Sequence, residues 1–177
     1  INYLKIKKRR KKMSTNENLK AAFAGESQAN RKYLAFAKKA EQEGFKQVAK
    51  LFRAAAEAET IHAHAHLRVM NGVKNTVENL QEAINGEGYE FKEMYPKFIE
   101  EAQKEGNKQA EISFKNANEV EKIHHKLYSK ALETVKMGKD IKSTKIWVCK
   151  ICGNTVEDLP DFCPICNAKK DNFIEIT

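Results

Sequence analysis

The sequence predicts an all-α four-helix bundle built around two metal ions, followed by a small module around a further metal. Three observations carry this. Glu-x-x-His occurs twice, at Glu59–His62 and at Glu121–His124; the halves of the helical region echo each other at an offset of 62; and all four cysteines, Cys149, Cys152, Cys163 and Cys166, fall in the last 29 residues. A carboxylate and an imidazole three residues apart project from one helix face. A Glu-x-x-His on each of two helices, joined by a Glu from each of two others, is how bundles hold two irons.

The first helix is expected from Asn16 to about Ala40, with Leu19, Phe23, Leu34 and Phe36 at helical spacing and Thr15 or Asn16 as cap. It carries Glu26 and, two turns on, Tyr33. After a break at Gly44, the second helix has the inward stripe Val48, Leu51, Phe52, Ala55, Ala58, so Glu59 and His62 lie on an otherwise apolar face. Asn71-Gly72 ends it. A third run begins at Thr76 and passes Gly86 and Gly88, placing Glu87 and Glu90 a turn apart, with a kink expected at Pro96. Gly106 separates it from a fourth helix, which reaches about Lys136 and carries Glu121 and His124.

The repeat matches Tyr33 with Tyr95, Glu43-Gly44 with Glu105-Gly106, Phe52 with Phe114, Glu59 with Glu121 and His62 with His124. Either Glu-x-x-His alone reads as a solvated helix face; their joint repetition around a shared glycine break reads as a duplicated helical hairpin with a metal site. Glu26 matches Glu87 with a slip of one residue, and the position three beyond is Ala29 in the first half and Glu90 in the second, so the second half has a spare carboxylate. Tyr33 and Tyr95 read as core tyrosines whose hydroxyls meet ligand carboxylates. His66 lies one turn beyond His62, within approach of the site, whereas His64 and His125 are expected at the surface.

Seven inward groups, Glu26, Glu59, His62, Glu87, Glu90, Glu121 and His124, include five carboxylates. Without cations, their repulsion and desolvation would be prohibitive. Two metals in a mixed carboxylate and imidazole shell remove that cost, and the shell suits iron or manganese. Cys149-x-x-Cys152 and Cys163-x-x-Cys166 form two knuckles that can close on one metal, and spacing alone leaves zinc and iron open. A redox-capable pair of metals on the same chain favours iron, a one-electron carrier in four thiolates.

The formal net charge is +8, but residues 1–12 hold seven Lys or Arg and no acid; without them, 25 basic residues face 24 acidic, or +1. The basicity belongs to a tail, read as residues preceding a start at Met13 rather than as a nucleic-acid arm. The expected organisation is a disordered basic extension over 1–13, the bundle over 14–138, a polar linker over 139–145 and the cysteine domain over 146–177. No apolar run is long enough for a membrane span, and cysteines clustered for one metal suit a reducing compartment, so a cytoplasmic location is expected.

Phe23-Ala24-Gly25-Glu26-Ser27-Gln28-Ala29, Glu93-Met94-Tyr95-Pro96, both Glu-x-x-His pairs and Cys163-Pro164-Ile165-Cys166 resemble the wording of the rubrerythrin family, from about Asn18 to Ile176. The resemblance implies a ferritin-like bundle followed by a rubredoxin-like domain. It implies that Glu59 and Glu121 bridge two irons, with Glu26 on one and Glu87 and His124 on the other. It also implies that one iron moves between Glu90 when oxidised and His62 when reduced. The implied activity is that of an NAD(P)H-linked peroxidase in oxidative stress defence. Hydrogen peroxide would be reduced to water, with electrons returning through the four-cysteine iron from a reductase or an external rubredoxin. A homodimer, in some members helix-swapped, is implied too. Gly153-Asn154 departs from the Gly-Tyr frequent in rubredoxin-like domains. Ferroxidase activity, or iron binding and storage beside a structural zinc ribbon, are the alternatives. Metal analysis separates them: the redox reading expects about three irons per chain with a thiolate-to-iron absorption, and one zinc with inert carboxylates would contradict it.

Overall fold

The computed structural model describes residues 14–142 and 144–177; the basic extension lies outside the described residues. Helix α1 spans Thr15–Gln42 and α2 Lys46–Val69. The cap of α1 is Ser14, not Thr15 or Asn16. Its Oγ accepts from the Glu17 N–H at 3.2 Å while its own N–H donates to Glu17 Oε2 at 2.7 Å, so two orphan donors are satisfied reciprocally.

The described fold divides into two compact units, the first ending at Lys74 and the second beginning at Asn75. In the first, α1 and α2 form a hairpin whose buried residues are mostly alanines: Ala37, Ala40, Ala49, Ala56 and Ala63. Small side chains let the helices approach closely. Asn30, buried among them, donates to the Ala56 carbonyl at 2.7 Å and to Thr60 Oγ1 at 2.8 Å, tying the helices beside the residues that matter chemically.

The second unit contains α3 (Thr76–Tyr89, capped by Asn75), a π-helical turn at Glu90–Met94, α4 (Tyr95–Lys104) and α5 (Lys108–Lys136). The irregularity expected at Pro96 falls just before it. The Tyr95 N–H bonds to the Glu90 carbonyl five residues back, and Pro96 sits in the first turn of α4, where a missing N–H costs little.

The duplication is visible bond by bond. Gly44 and Gly106 both adopt positive φ, +87° and +70°. Phe45 N–H bonds to Ala40 O at 2.8 Å, and Asn107 N–H to Ala102 O at 2.9 Å; these are the same helix-ending motif. Tyr33, Phe36 and Phe52 form a ring cluster beside one turn, and Tyr95, Phe98 and Phe114 form its copy, with the two phenylalanines 5.6 and 5.5 Å apart. Tyr95 follows Tyr33 by 62 residues but Glu87 follows Glu26 by 61. The π turn accommodates the extra residue, and it accounts for the slip.

Strands β1 (Ile146–Cys149), β2 (Thr155–Val156) and β3 (Phe173–Ile176) form an antiparallel sheet in the order β2-β1-β3. Its small core is Cys149, Cys163 and Phe173, packed by Trp147, Val156 and Ile165. The knuckles are copies of each other. Gly153 N–H bonds to Cys149 O and Asn167 N–H to Cys163 O, both at 2.9 Å. Gly153 and Asn167 take the left-handed conformation at φ +85° and +59°, which turns the backbone N–H groups toward the sulfurs.

Glu111 on α5 is buried and accepts from Lys115 (2.8 Å), Gln103 (2.8 Å) and Lys108 (3.0 Å). Its bond to Lys115, then those to Gln103 and Lys108, bring its carboxyl down to about 2. A depressed folded-state pKa contributes stability that is present above the ordinary carboxylate pKa and lost as pH falls toward 2. Glu111→Gln should lower the urea midpoint at pH 7, and the difference from wild type should vanish as the titrations approach pH 2.

Candidate metal centres

In the first unit, α1 contributes Glu26 and α2 contributes Glu59 and His62, whose donor atoms form one group. His62 Nδ1 lies 3.7 Å from Glu26 Oε2 and 3.5 Å from Glu59 Oε2. Glu59 Oε2 is buried without a hydrogen-bond partner. Its bond to Glu26, then burial and the charge of Glu26, push the Glu59 carboxyl up. Two adjoining carboxylates and an imidazole are the donor set a cation takes, and the orphaned oxygen fits a metal.

The second unit repeats this with Glu87 from α3 and Glu121 and His124 from α5. His124 Nδ1 is 2.9 Å from Glu121 Oε2 and 3.7 Å from Glu87 Oε1. Burial, then the charge of Glu121, push the Glu87 carboxyl up to about 6; burial raises Glu121 as well. Glu90 lies outside this triad, at the start of the π turn, and is raised by burial and then by the charge of Glu87. The Tyr95 hydroxyl is raised by burial, then by Glu90, Glu121 and Glu87, so it belongs to the same carboxylate environment. Tyr33 packs on Phe36 and Phe52.

The ligand groups are less buried within each unit than an inward-facing reading implies, with the His62 side chain 57% exposed and that of His124 26%. His66 is not in the first triad and His64 is exposed. His125, expected at the surface, is half-buried. Its ring meets Phe91 edge-on at 5.4 Å and crosses Gly88, where a Cβ would stand 3.4 Å from it.

Thr155 is a residue that sequence reasoning missed. His124 Nε2 is 2.9 Å from Thr155 Oγ1, and the Thr155 hydroxyl lies 3.1 Å from the Gly153 carbonyl. A carbonyl can only accept, so the hydroxyl donates to Gly153 and accepts from Nε2–H. Nδ1 is then the nitrogen that faces Glu121, 2.9 Å away, and Glu87, the side from which a metal ligand would present its lone pair. The same side of His124 borders a cavity of about 380 Å³ lined by Leu80, Leu127, Tyr128, Ala131, Ile146 and Val156.

The four cysteines gather in one group, with Cys149–Cys166 and Cys152–Cys163 Sγ separations of 3.7 and 3.5 Å. A tetrahedral shell with metal–sulfur bonds of about 2.3 Å has edges of about 3.8 Å, so the cage fits a single iron or zinc. Burial raises the Cys152 and Cys166 thiols. Burial acts against ionisation of Cys163 too, but hydrogen bonds from the backbone N–H groups of Cys166 and Ile165 and from the Cys152 and Cys166 thiols together bring that thiol down to about 7.

These features agree with comparisons to known proteins. Residues 17–132 match the family model described as Rubrerythrin, and residues 147–174 that described as Rubrerythrin, rubredoxin-like domain. Rubrerythrin-2 of Clostridium acetobutylicum is 39% identical over 92% of this chain and 97% of its own. Nigerythrin of Nitratidesulfovibrio vulgaris is 40% identical over 90% of this chain and 85% of its own. A solved structure of nigerythrin in its fully reduced, all-ferrous state has a TM-score of 0.55 at 35% identity, covering 97% of this chain and 91% of that one. The chain belongs to the rubrerythrin family. It is thereby an oxidoreductase of the di-iron type, with carboxylate and histidine groups fitted to iron and a rubredoxin-like cysteine domain.

Replacing Thr155 by Val should weaken anaerobic Fe(II) binding at the His124 triad about 10- to 100-fold, as loss of a ligand's outer partner does elsewhere. The thiolate absorption of the cysteine site should be unchanged, and Thr155→Ser should restore binding.

Proposed function

We propose that this protein is a non-haem di-iron peroxidase that reduces hydrogen peroxide to water in oxidative stress defence, with electrons relayed through iron in the four-cysteine site. The observation that carries this reading is the hydrogen-bonded link His124–Thr155–Gly153, one residue from Cys152, which joins a carboxylate triad to the thiolate cage. A ferroxidase supplied by free ferrous ions needs no such link. Glu59 and Glu121 are proposed as bridging ligands, Glu26 as a ligand of one iron, and Glu87 and His124 as ligands of the other. Glu90 and His62 are proposed as the exchanging pair. An anionic carboxylate suits a ferric ion and a neutral imidazole a ferrous one.

When bound, the iron pair supplies the two electrons that O–O cleavage takes, in a balance of one peroxide, two protons and two electrons giving two waters. The chain's own groups handle the protons. The Tyr95 hydroxyl, set in the environment of Glu90, Glu121 and Glu87, is the group placed to hold or pass them. Tyr33 is assigned the matching place in the first repeat. The electron donor is proposed to be an NAD(P)H-dependent reductase or a rubredoxin, the location the cytoplasm, and the assembly a homodimer. No helix among the described residues is long and apolar enough to cross a membrane, and no nucleic-acid partner is proposed.

Anaerobically reduced protein should be reoxidised by stoichiometric peroxide faster than by oxygen. Cys149→Ser should abolish multiple turnover with an external reductant while sparing that single reoxidation. Faster reoxidation by oxygen, or turnover with free Fe(II) untouched by Cys149→Ser, would sink the peroxidase reading.

A further inference from the structure

Asn154 is one of the most thoroughly buried side chains among the described residues, with no exposed surface. Its backbone is fixed, because its carbonyl accepts from Cys149 N–H at 2.9 Å immediately after the left-handed turn at Gly153. From that position the side chain reaches across to the other knuckle, and Nδ2 donates to Cys163 Sγ at 3.6 Å. The amide oxygen has no protein partner. Burying an amide with half of its capacity unmet costs free energy that an apolar residue of similar volume would not incur. The group that repays this is a charged acceptor, and a metal-bound thiolate is one.

Four thiolates around one ferric ion carry a net charge of −1, and around a ferrous ion −2. An N–H dipole aimed at a sulfur stabilises the more negative state more strongly, which favours reduction. The backbone donors of the knuckles act on this cage whatever the side chains are; Asn154 adds a side-chain donor at the position where rubredoxin-like domains often carry tyrosine. We propose that Asn154 is a tuning residue of the four-cysteine centre, its side-chain amide raising the reduction potential of iron bound there. This rests on the reading that the cage works as a one-electron relay. The donor to the cage then needs less reducing power, and the onward step to the di-iron ligands proceeds with less driving force.

The test uses the full chain loaded with iron, with the cage potential measured by dye-mediated redox titration at its thiolate-to-iron absorption. Asn154→Leu keeps the branched shape and removes the donor; Asn154→Ala serves if the bulkier leucine disturbs the fold. With the iron content and absorption envelope of the cage intact, each should shift the reduction equilibrium toward the ferric state about tenfold, or 59 mV for a one-electron couple. In zinc-loaded wild-type protein, one Asn154 Nδ2 proton should be shifted downfield and protected from exchange. An unchanged or raised potential in a variant with an intact cage would overturn this proposal alone. A cage that refused iron would overturn the relay reading with it.

Discussion

The structure depends on one electrostatic constraint: carboxylates brought together out of water must share protons or surround a cation. Both helical hairpins meet it in the same way, placing one Glu on the first helix and Glu-x-x-His on the second. Close helix approach makes the constraint severe. The alanine seam between α1 and α2 draws Glu26 toward Glu59, and the buried Asn30 bonds fix that approach. The crowding raises the Glu59 and Glu87 carboxyls, the first chiefly through Glu26 and the second chiefly through burial.

The cysteine domain solves a related problem with different materials. It has too few apolar residues for an ordinary core, and its buried centre is largely sulfur. Paired knuckles aim backbone N–H groups at the sulfurs, so the cage is prepared for negative charge before a metal arrives. Thr155 then connects this preparation to His124, and the same hydroxyl that belongs to the β2 strand orients an imidazole on α5.

What the sequence made legible was whatever repeats or is fixed by spacing: four helices, the hairpin glycines, the Glu-x-x-His pairs and the cysteine knuckles. Spacing says which residues share a face, and metal ligands are chosen by that. Contacts set by three-dimensional approach were not legible. Ser14 rather than Thr15 caps α1 because the capping box needs a partner three residues on, and Glu17 supplies it. His125 is half-buried against Phe91 and Gly88, contacts that only the folded helices bring together. Thr155 and Asn154 acquire roles only when the knuckles fold, and nothing in their local sequence distinguishes them from ordinary polar residues. The one-residue slip between repeats was visible, but its cause, a π turn, required the backbone.

That π turn bears on how a symmetric protein becomes asymmetric. A hairpin copied within one chain begins with two equivalent ligand sets, and two equivalent sets can hold metals without distinguishing between them. A single extra residue absorbed as a π turn leaves the helix continuous and the downstream ring cluster in register, and Glu90, which stands where the first repeat has Ala29, opens that turn. The π turn thus lets the second repeat differ from the first beside its Glu87, Glu121 and His124 group without disturbing the ring cluster beyond it. At the position where the second repeat carries the Glu90 carboxylate the first carries Ala29, so two copies of one hairpin plan differ in charge at a matched place.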